Sequence, residues 1–167
     1  MSLTVYDKAK WHTGATRASA DIPPEAGATH IALILRWCME NGLCSKKLLA
    51  DHGKTIADIC LGKDDCRAFF MRELDGVFTS AELNTKGRAF LNAYYSSGRT
   101  RFAREYGTYL GDCAAFAAKR LGKNHDNVYL LLENSEASYR QIKKLCNRRH
   151  AEFIAMKAAG KNTPRKA

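Results

Sequence analysis

The stretch Thr29–Asn41, THIALILRWCMEN, decides the fold. Its apolar residues Ile31, Leu33, Ile34, Leu35, Trp37, Cys38 and Met39 go almost all the way round a helical period. A helix that is apolar on every face sits at the centre of a protein, with other helices covering it. Gly42 supplies its stop.

Outward from this segment, apolar residues recur at three and four, proline is scarce, and strand signals are nearly absent. Residues 1–26 read as an irregular entry segment, with Asp21-Ile22-Pro23-Pro24 marking a turn. Ser45 is a candidate N-cap for a short helix through His52, stopped by Gly53. Thr55–Leu61 is a further short helix closed by Gly62, and Asp64 opens another to Leu74. Thr79 with Glu82 forms a capping-box pattern, though the helix it starts is interrupted by Asn84-Thr85; a firmer helix follows over Lys86–Tyr95, with a turn at Ser96-Ser97-Gly98. Arg99–Leu110 and Asp112–Leu121 read as two more helices, stopped by Gly111 and Gly122. Residues 122–127 are loop-like, and Val128–Leu132 is an apolar run that fits strand or helix. Ser135–Ala159 is the longest helix. The expectation is an all-α, single-domain bundle of about seven or eight helices over residues 1–160, with a disordered basic tail at 161–167.

A chain of 167 residues is long enough to bury a core without staples. It has no apolar run near 18 residues, so no membrane insertion is expected. The polar opening Tyr6-Asp7-Lys8-Ala9-Lys10 has no signal-peptide character, which makes a cytoplasmic location the expectation. Cysteines at 38, 44, 60, 66, 113 and 146 lack zinc-knuckle or redox spacing. They are expected to be buried, inert thiols, with a reactive Cys44 or Cys60 as the lesser reading.

Charge is unevenly spread. Residues 135–167 hold nine Lys and Arg against only Glu136 and Glu152, a local balance of +7 out of a net +10. Such a segment on a near-neutral body meets something negative. On the last helix the stripe Tyr139, Ile142, Cys146, Arg149, Phe153, Met156 faces the body. Arg149 inside it needs a carboxylate, either Glu152 or one from another helix, and is read as a structural ion pair. Arg140, Lys143, Lys144 and Arg148 fall on other faces and make the candidate partner-binding surface; the alternative is a merely solvated face.

Tyr6, Trp11 and His12 in the entry segment, with His30 and Trp37 on the central helix, form a candidate aromatic and histidine cluster. On a loop such residues make a ligand platform. The preferred reading is that Trp11 pins the entry segment to the body, burying up to about 200 Å². His30 is read as a structural histidine bonded to a carboxylate such as Asp7. No metal site is expected, because the five histidines are scattered and no set of three or four ligands is visible. No cofactor is implied, and no catalytic residue is assigned, since no triad order, nucleophile elbow or phosphate loop is present.

Several blocks together resemble a family of small bacterial proteins known as a domain of unknown function. They are Tyr6–His12 (YDKAKWH), His30-Ile31…Trp37…Asn41-Gly42-Leu43, Leu74-Asp75-Gly76-Val77, Gly87…Phe90…Tyr94-Tyr95 and Arg148–Phe153. The chain departs from the family pattern at Thr13–Arg17, where acidic residues are usual, and in its strongly basic balance. The resemblance implies a small helical cytosolic protein and no catalytic activity. Proteins of this kind are often encoded beside toxins as their inhibitors.

The functional expectation is therefore a non-enzymatic module that binds a partner protein, in its most concrete form an immunity or antitoxin protein facing a toxin with an acidic surface. The alternative is nucleic-acid binding through the C-terminal helix and tail, aided by Arg99, Arg101 and Arg104. A small enzyme with a pocket near Trp11, His30 and Trp37 is a third.

Overall fold

A computed structural model describes residues 3–12, 14, 22–23, 25–95, 98–122 and 127–161. From residue 162 onward the expected tail lies outside these, as do residues 123–126 of the expected loop, Ser96 and Ser97, Asp21 and Pro24, and most of 13–17.

The chain is mostly helical. In order come strand β1 (Val5–Lys8), a 3-10 turn (Ala9–His12), helices α1 (Ala26–Glu40), α2 (Lys46–Cys60) and α3 (Cys66–Glu73), and strand β2 (Val77–Thr79). A second 3-10 turn (Ser80–Glu82) leads to α4 (Thr85–Tyr94), α5 (Arg101–Tyr106) and α6 (Tyr109–Leu121). A third (Val128–Leu131) precedes α7 (Glu136–Lys161).

The central helix is where its sequence placed it. Thirteen of the fifteen residues of α1 are buried, and α1 packs on α2, α3, α7, β1 and two of the 3-10 turns. Specific bonds fix its neighbours: the Trp37 indole N–H donates to Asn147 Oδ1 at 2.8 Å, and the Tyr109 hydroxyl donates to the His30 carbonyl at 2.6 Å. Each is a buried or half-buried polar group given a partner, which orients α7 and α6 against α1 without leaving an unpaired dipole.

Four expectations are corrected or refined. The protein is not all-α, because the entry segment contains β1, paired antiparallel with β2 (Val5 opposite Thr79, Lys8 opposite Val77). Four residues of strand, closed only by a partner some seventy positions away, leave little local signal. Second, the expected boundary between two short helices at His52-Gly53 is present as a kink rather than a loop: His52 is non-helical (φ −133°, ψ 18°), and the two helical stretches run on across it as α2 to Cys60. Third, Gly111 lies in the first turn of α6; the break falls at Gly107, whose φ of 95° no ordinary side chain adopts readily. Fourth, the Thr79–Glu82 capping box is present and the element it starts is a single 3-10 turn, ending ahead of the expected interruption at Asn84-Thr85. The helices therefore divide differently from the expected seven or eight, and α7 runs past Gly160 to Lys161.

Other signals hold. Ser45 caps α2 by accepting the Leu48 N–H at 3.2 Å. Gly122 ends α6 in the left-handed region, and Val128–Leu131 resolves to a 3-10 turn. All six cysteines are free, five of them buried. Burial pushes the Cys44 thiol up to about 12 and raises Cys60 as well, which leaves neither as a ready thiolate. No helix among the described residues is long and apolar enough to cross a membrane.

Candidate functional site

Two places gather polar chemistry: a buried cluster where the entry segment meets α1, and a groove between α6 and α7.

The cluster begins with an irregularity in β1. Between Val5 and Asp7 the register slips by one residue, and such a bulge re-aims the side chains beside it. Asp7 is 3% exposed. Its Oδ1 lies 2.8 Å from His12 Nε2; its Oδ2 lies 3.1 Å from His30 Nε2 and accepts the Tyr95 hydroxyl at 2.7 Å. His12 Nδ1 meets the Tyr129 hydroxyl at 2.9 Å. The rings of His12, His30 and Tyr129 stand edge to face at 4.7–5.6 Å between centroids.

Close approach of the backbones makes this possible. A β-carbon on Gly27 would sit 2.8 Å from the Ala9 carbonyl oxygen and 3.0 Å from His12 Cβ. Only glycine at this point of α1 lets the Ala9–His12 turn lie against the helix.

The electrostatics follow from the bonding. Burial would raise the Asp7 carboxyl, but bonds from His12, His30 and Tyr95 outweigh it and hold it well below the ordinary carboxylate range. Burial pushes the His30 imidazole below its usual value against the opposing pull of Asp7, and it raises Tyr95 strongly. An ionised Asp7 only accepts, so a neutral His30 carries its proton on Nε2. Its Nδ1 then has no hydrogen-bond partner.

The second place is built from two matched helical rows. Asp112, Ala115, Phe116 and Lys119 on α6 face Gln141, Lys144, Leu145 and Arg148 on α7 across a groove of about 560 Å³. Both rows advance by three, one and three, the spacing that keeps four side chains on one helix face. The helices run antiparallel: Asp112 meets Arg149 at one end, while Ala117 and Leu121 share a pocket with Ser138 at the other. Half-buried Phe116 and Leu145 give the floor, and exposed Lys119, Lys144 and Arg148 give a cationic rim. Among the described residues none of these three cations has a carboxylate partner.

The expected residues now have places. Arg149 is paired twice, bidentately to Asp112 through Nε (2.7 Å) and Nη2 (2.8 Å) and to Glu152 at 3.0 Å, with Tyr94 also donating to Asp112. Arg140, Lys144 and Arg148 are exposed on α7. Lys143 is turned away, bonded to Glu40 at 2.6 Å beside Arg36, which itself pairs with Glu40 and Glu136. His12 and His30 come together, with Tyr6 nearby, its ring tilted against those of Phe78 and Tyr95. Trp37 belongs elsewhere in the core, against Phe90 and His150.

Trp11 does not pin the entry segment. It is 57% exposed, with Lys8 over its ring, and Asp7 and His12 form the anchor instead. A 3-10 turn puts neighbouring residues on different sides, so burying His12 leaves Trp11 outside. Sequence reasoning missed Tyr95, Tyr129 and Lys119. Of these only Lys119 left a local trace, as the last member of the row that starts at Asp112.

Residues 5–120 match the family described as Domain of unknown function (DUF7832). That span takes in Asp7, His12, His30, Tyr95 and nearly all of α6, and stops before Tyr129 and α7. No curated protein and no solved structure matches the chain. The family match covers well over half of the sequence, and the chain therefore belongs to this family of domains of unknown function.

Proposed function

We propose that the protein is a non-enzymatic binding module that seats an acidic helical segment of a partner protein along the α6–α7 groove. The observation that carries this reading is the rim of three exposed cations, Lys119, Lys144 and Arg148, without carboxylate partners among the described residues, over an apolar floor of Phe116 and Leu145. An amphipathic helix laid in a groove buries its apolar face on such a floor, and acidic flanks find complementary charge on the rim, which sets encounter rate and orientation. Another hollow, about 400 Å³ beside Thr29 and Leu130–Asn134, is lined by two carboxylates, Glu25 and Glu133, against one cation, Arg67, and offers an acidic segment no complementary charge.

The α6 row, Asp112 to Lys119, spans eight residues, a rise of about 10 Å, so the groove seats about two turns of a partner helix. Arg140, exposed on α7, extends the contact beyond it. The concrete form of this reading is a bacterial immunity or antitoxin protein that occludes a toxin through an acidic surface, a role that asks for shape and charge rather than chemistry.

The test is co-purification from cells of the native source at ~150 mM salt, where exposed charges are substantially screened, with and without nuclease treatment, using the wild-type chain and a K119E/K144E/R148E variant. A stoichiometric protein recovered by the wild type, released by the variant and crosslinked to α6 or α7 supports the reading. Recovery of nucleic acid alone, lost as salt is raised, replaces it with phosphate-backbone binding.

A further inference from the structure

We propose that Asp7, His12 and His30 form a binding site for one divalent d-block metal ion of the zinc type, which fastens the entry segment to α1. This inference stands apart from the partner-binding reading and concerns the opposite part of the sequence. One ligand atom from each of the three residues lies within 4.8 Å of the other two. The Asp7 oxygens already stand 2.8 Å from His12 Nε2 and 3.1 Å from His30 Nε2. A tetrahedral zinc ion, with bonds of about 2.0–2.1 Å, holds its ligands about 3.3 Å apart. An opening of about half an ångström, with each Nε2 proton given up and each imidazole kept neutral by a proton on Nδ1, therefore admits it.

The donor set selects the ion class. Two imidazoles and one carboxylate suit zinc, cobalt, nickel or iron, whereas calcium and magnesium take oxygen ligands. Outer partners are also in place. The Tyr129 hydroxyl on His12 Nδ1 turns Nε2 toward Asp7, and the Tyr95 hydroxyl holds the Asp7 carboxylate from behind. Bonds of this kind orient the ligands of metal sites.

The Asp7 carboxylate is also crowded in the hydrogen-bonded arrangement. His30 is wholly buried, and its Nε2 shares that one carboxylate with three further donors, the His12 ring, the Tyr95 hydroxyl and the Lys8 backbone N–H. Access is from the His12 side, whose side chain retains 11% exposure against 0% for His30. The scattered histidines concealed this set because Asp7 and His12 lie five apart across a strand and a 3-10 turn, and His30 arrives from α1.

The test is titration of the purified, reduced full-length chain with Co2+, followed by visible absorption, and competition by Zn2+. The expected result is one Co2+ per chain, displaced by Zn2+, with ligand-field bands and no thiolate charge-transfer band, and a raised melting temperature. H12Q, at the exposed edge of the site, keeps the helical circular dichroism and weakens binding about 100-fold. D7N does the same or worse, and Y129F weakens it about tenfold, as loss of an outer partner does. Absence of saturable binding overturns the proposal. So does binding that H12Q and D7N leave unchanged, or a thiolate charge-transfer band, which would place the ion on the cysteines.

Discussion

Arg149 and Asp112 lock α7 to α6 through two parallel bonds of 2.7 and 2.8 Å, one from Nε and one from Nη2. Both side chains are nearly buried, at 13% and 15% exposure. The bond from Asp112 is the leading reason the guanidinium is held above its ordinary value. Together they close one end of the groove.

Breaking that pair from one side strands a carboxylate that Tyr94 alone would still satisfy. Arg149→Met should lower unfolding free energy by about 3 kcal/mol, the cost of an uncompensated buried charge, read from urea denaturation. The double variant R149M/D112L should recover part of the loss, because a buried pair replaced by apolar groups is often neutral. Additive losses would contradict a direct coupling.

His150 supplies a pH dependence. It lies against Trp37 and Phe90 at 5.5 and 5.0 Å between ring centroids, and burial lowers its affinity for a proton. The unfolded chain therefore binds more protons at this site once the pH falls below about 6.5. By linkage, stability is fully present above that pH and declines as the pH drops toward the depressed folded value. H150Q should flatten the slope of stability between about pH 7 and 5 relative to wild type. Identical slopes in the two proteins would show that His150 does not contribute.

Gly27→Ala offers a test of sign. Helix propensity alone favours alanine by about 1 kcal/mol. The β-carbon, however, would sit 2.8 Å from the Ala9 carbonyl oxygen and 3.0 Å from His12 Cβ, so the variant should lose about 2 kcal/mol through overpacking. The change should also shift the His12 ring resonances. A stabilised variant would mean that the Ala9–His12 turn does not need this close approach.

How much of this was readable in the sequence depends on the range of each interaction. The burial of α1 was legible because its composition repeats the same message on every face, and Ser45 because a cap speaks to residues three away. The Asp7–His30 bond was anticipated, since a histidine at the start of a wholly apolar helix requires a polar partner. The bonds from Tyr95 and Tyr129 were not, because they join positions 88 and 117 residues apart along the chain. The α7 stripe told which residues face inward, and Arg149 with its ion pair followed. It did not distinguish Lys143, which meets Glu40, from Lys144, which meets the groove, because neighbouring residues on a helix point about 100° apart toward different elements. The break at His52-Gly53 was legible, but not that the helix would resume across it as a kink, because composition does not report φ and ψ.

The rim cations should matter for binding and not for folding. Lys119, Lys144 and Arg148 are exposed and without carboxylate partners among the described residues, so K119E/K144E/R148E should unfold within about 0.5 kcal/mol of wild type. A larger loss in thermal or urea denaturation would show that these side chains hold α6 and α7 together.

The most direct test of the central claim is the affinity of the co-purified partner for the wild-type chain and for K119E/K144E/R148E, measured by isothermal titration at ~150 mM salt. An acidic segment seated in the α6–α7 groove predicts a loss of about 100-fold in the variant, with both chains equally folded, because like charges then face each other across the contact. Equal affinity for the two chains would contradict it and place the partner on another face.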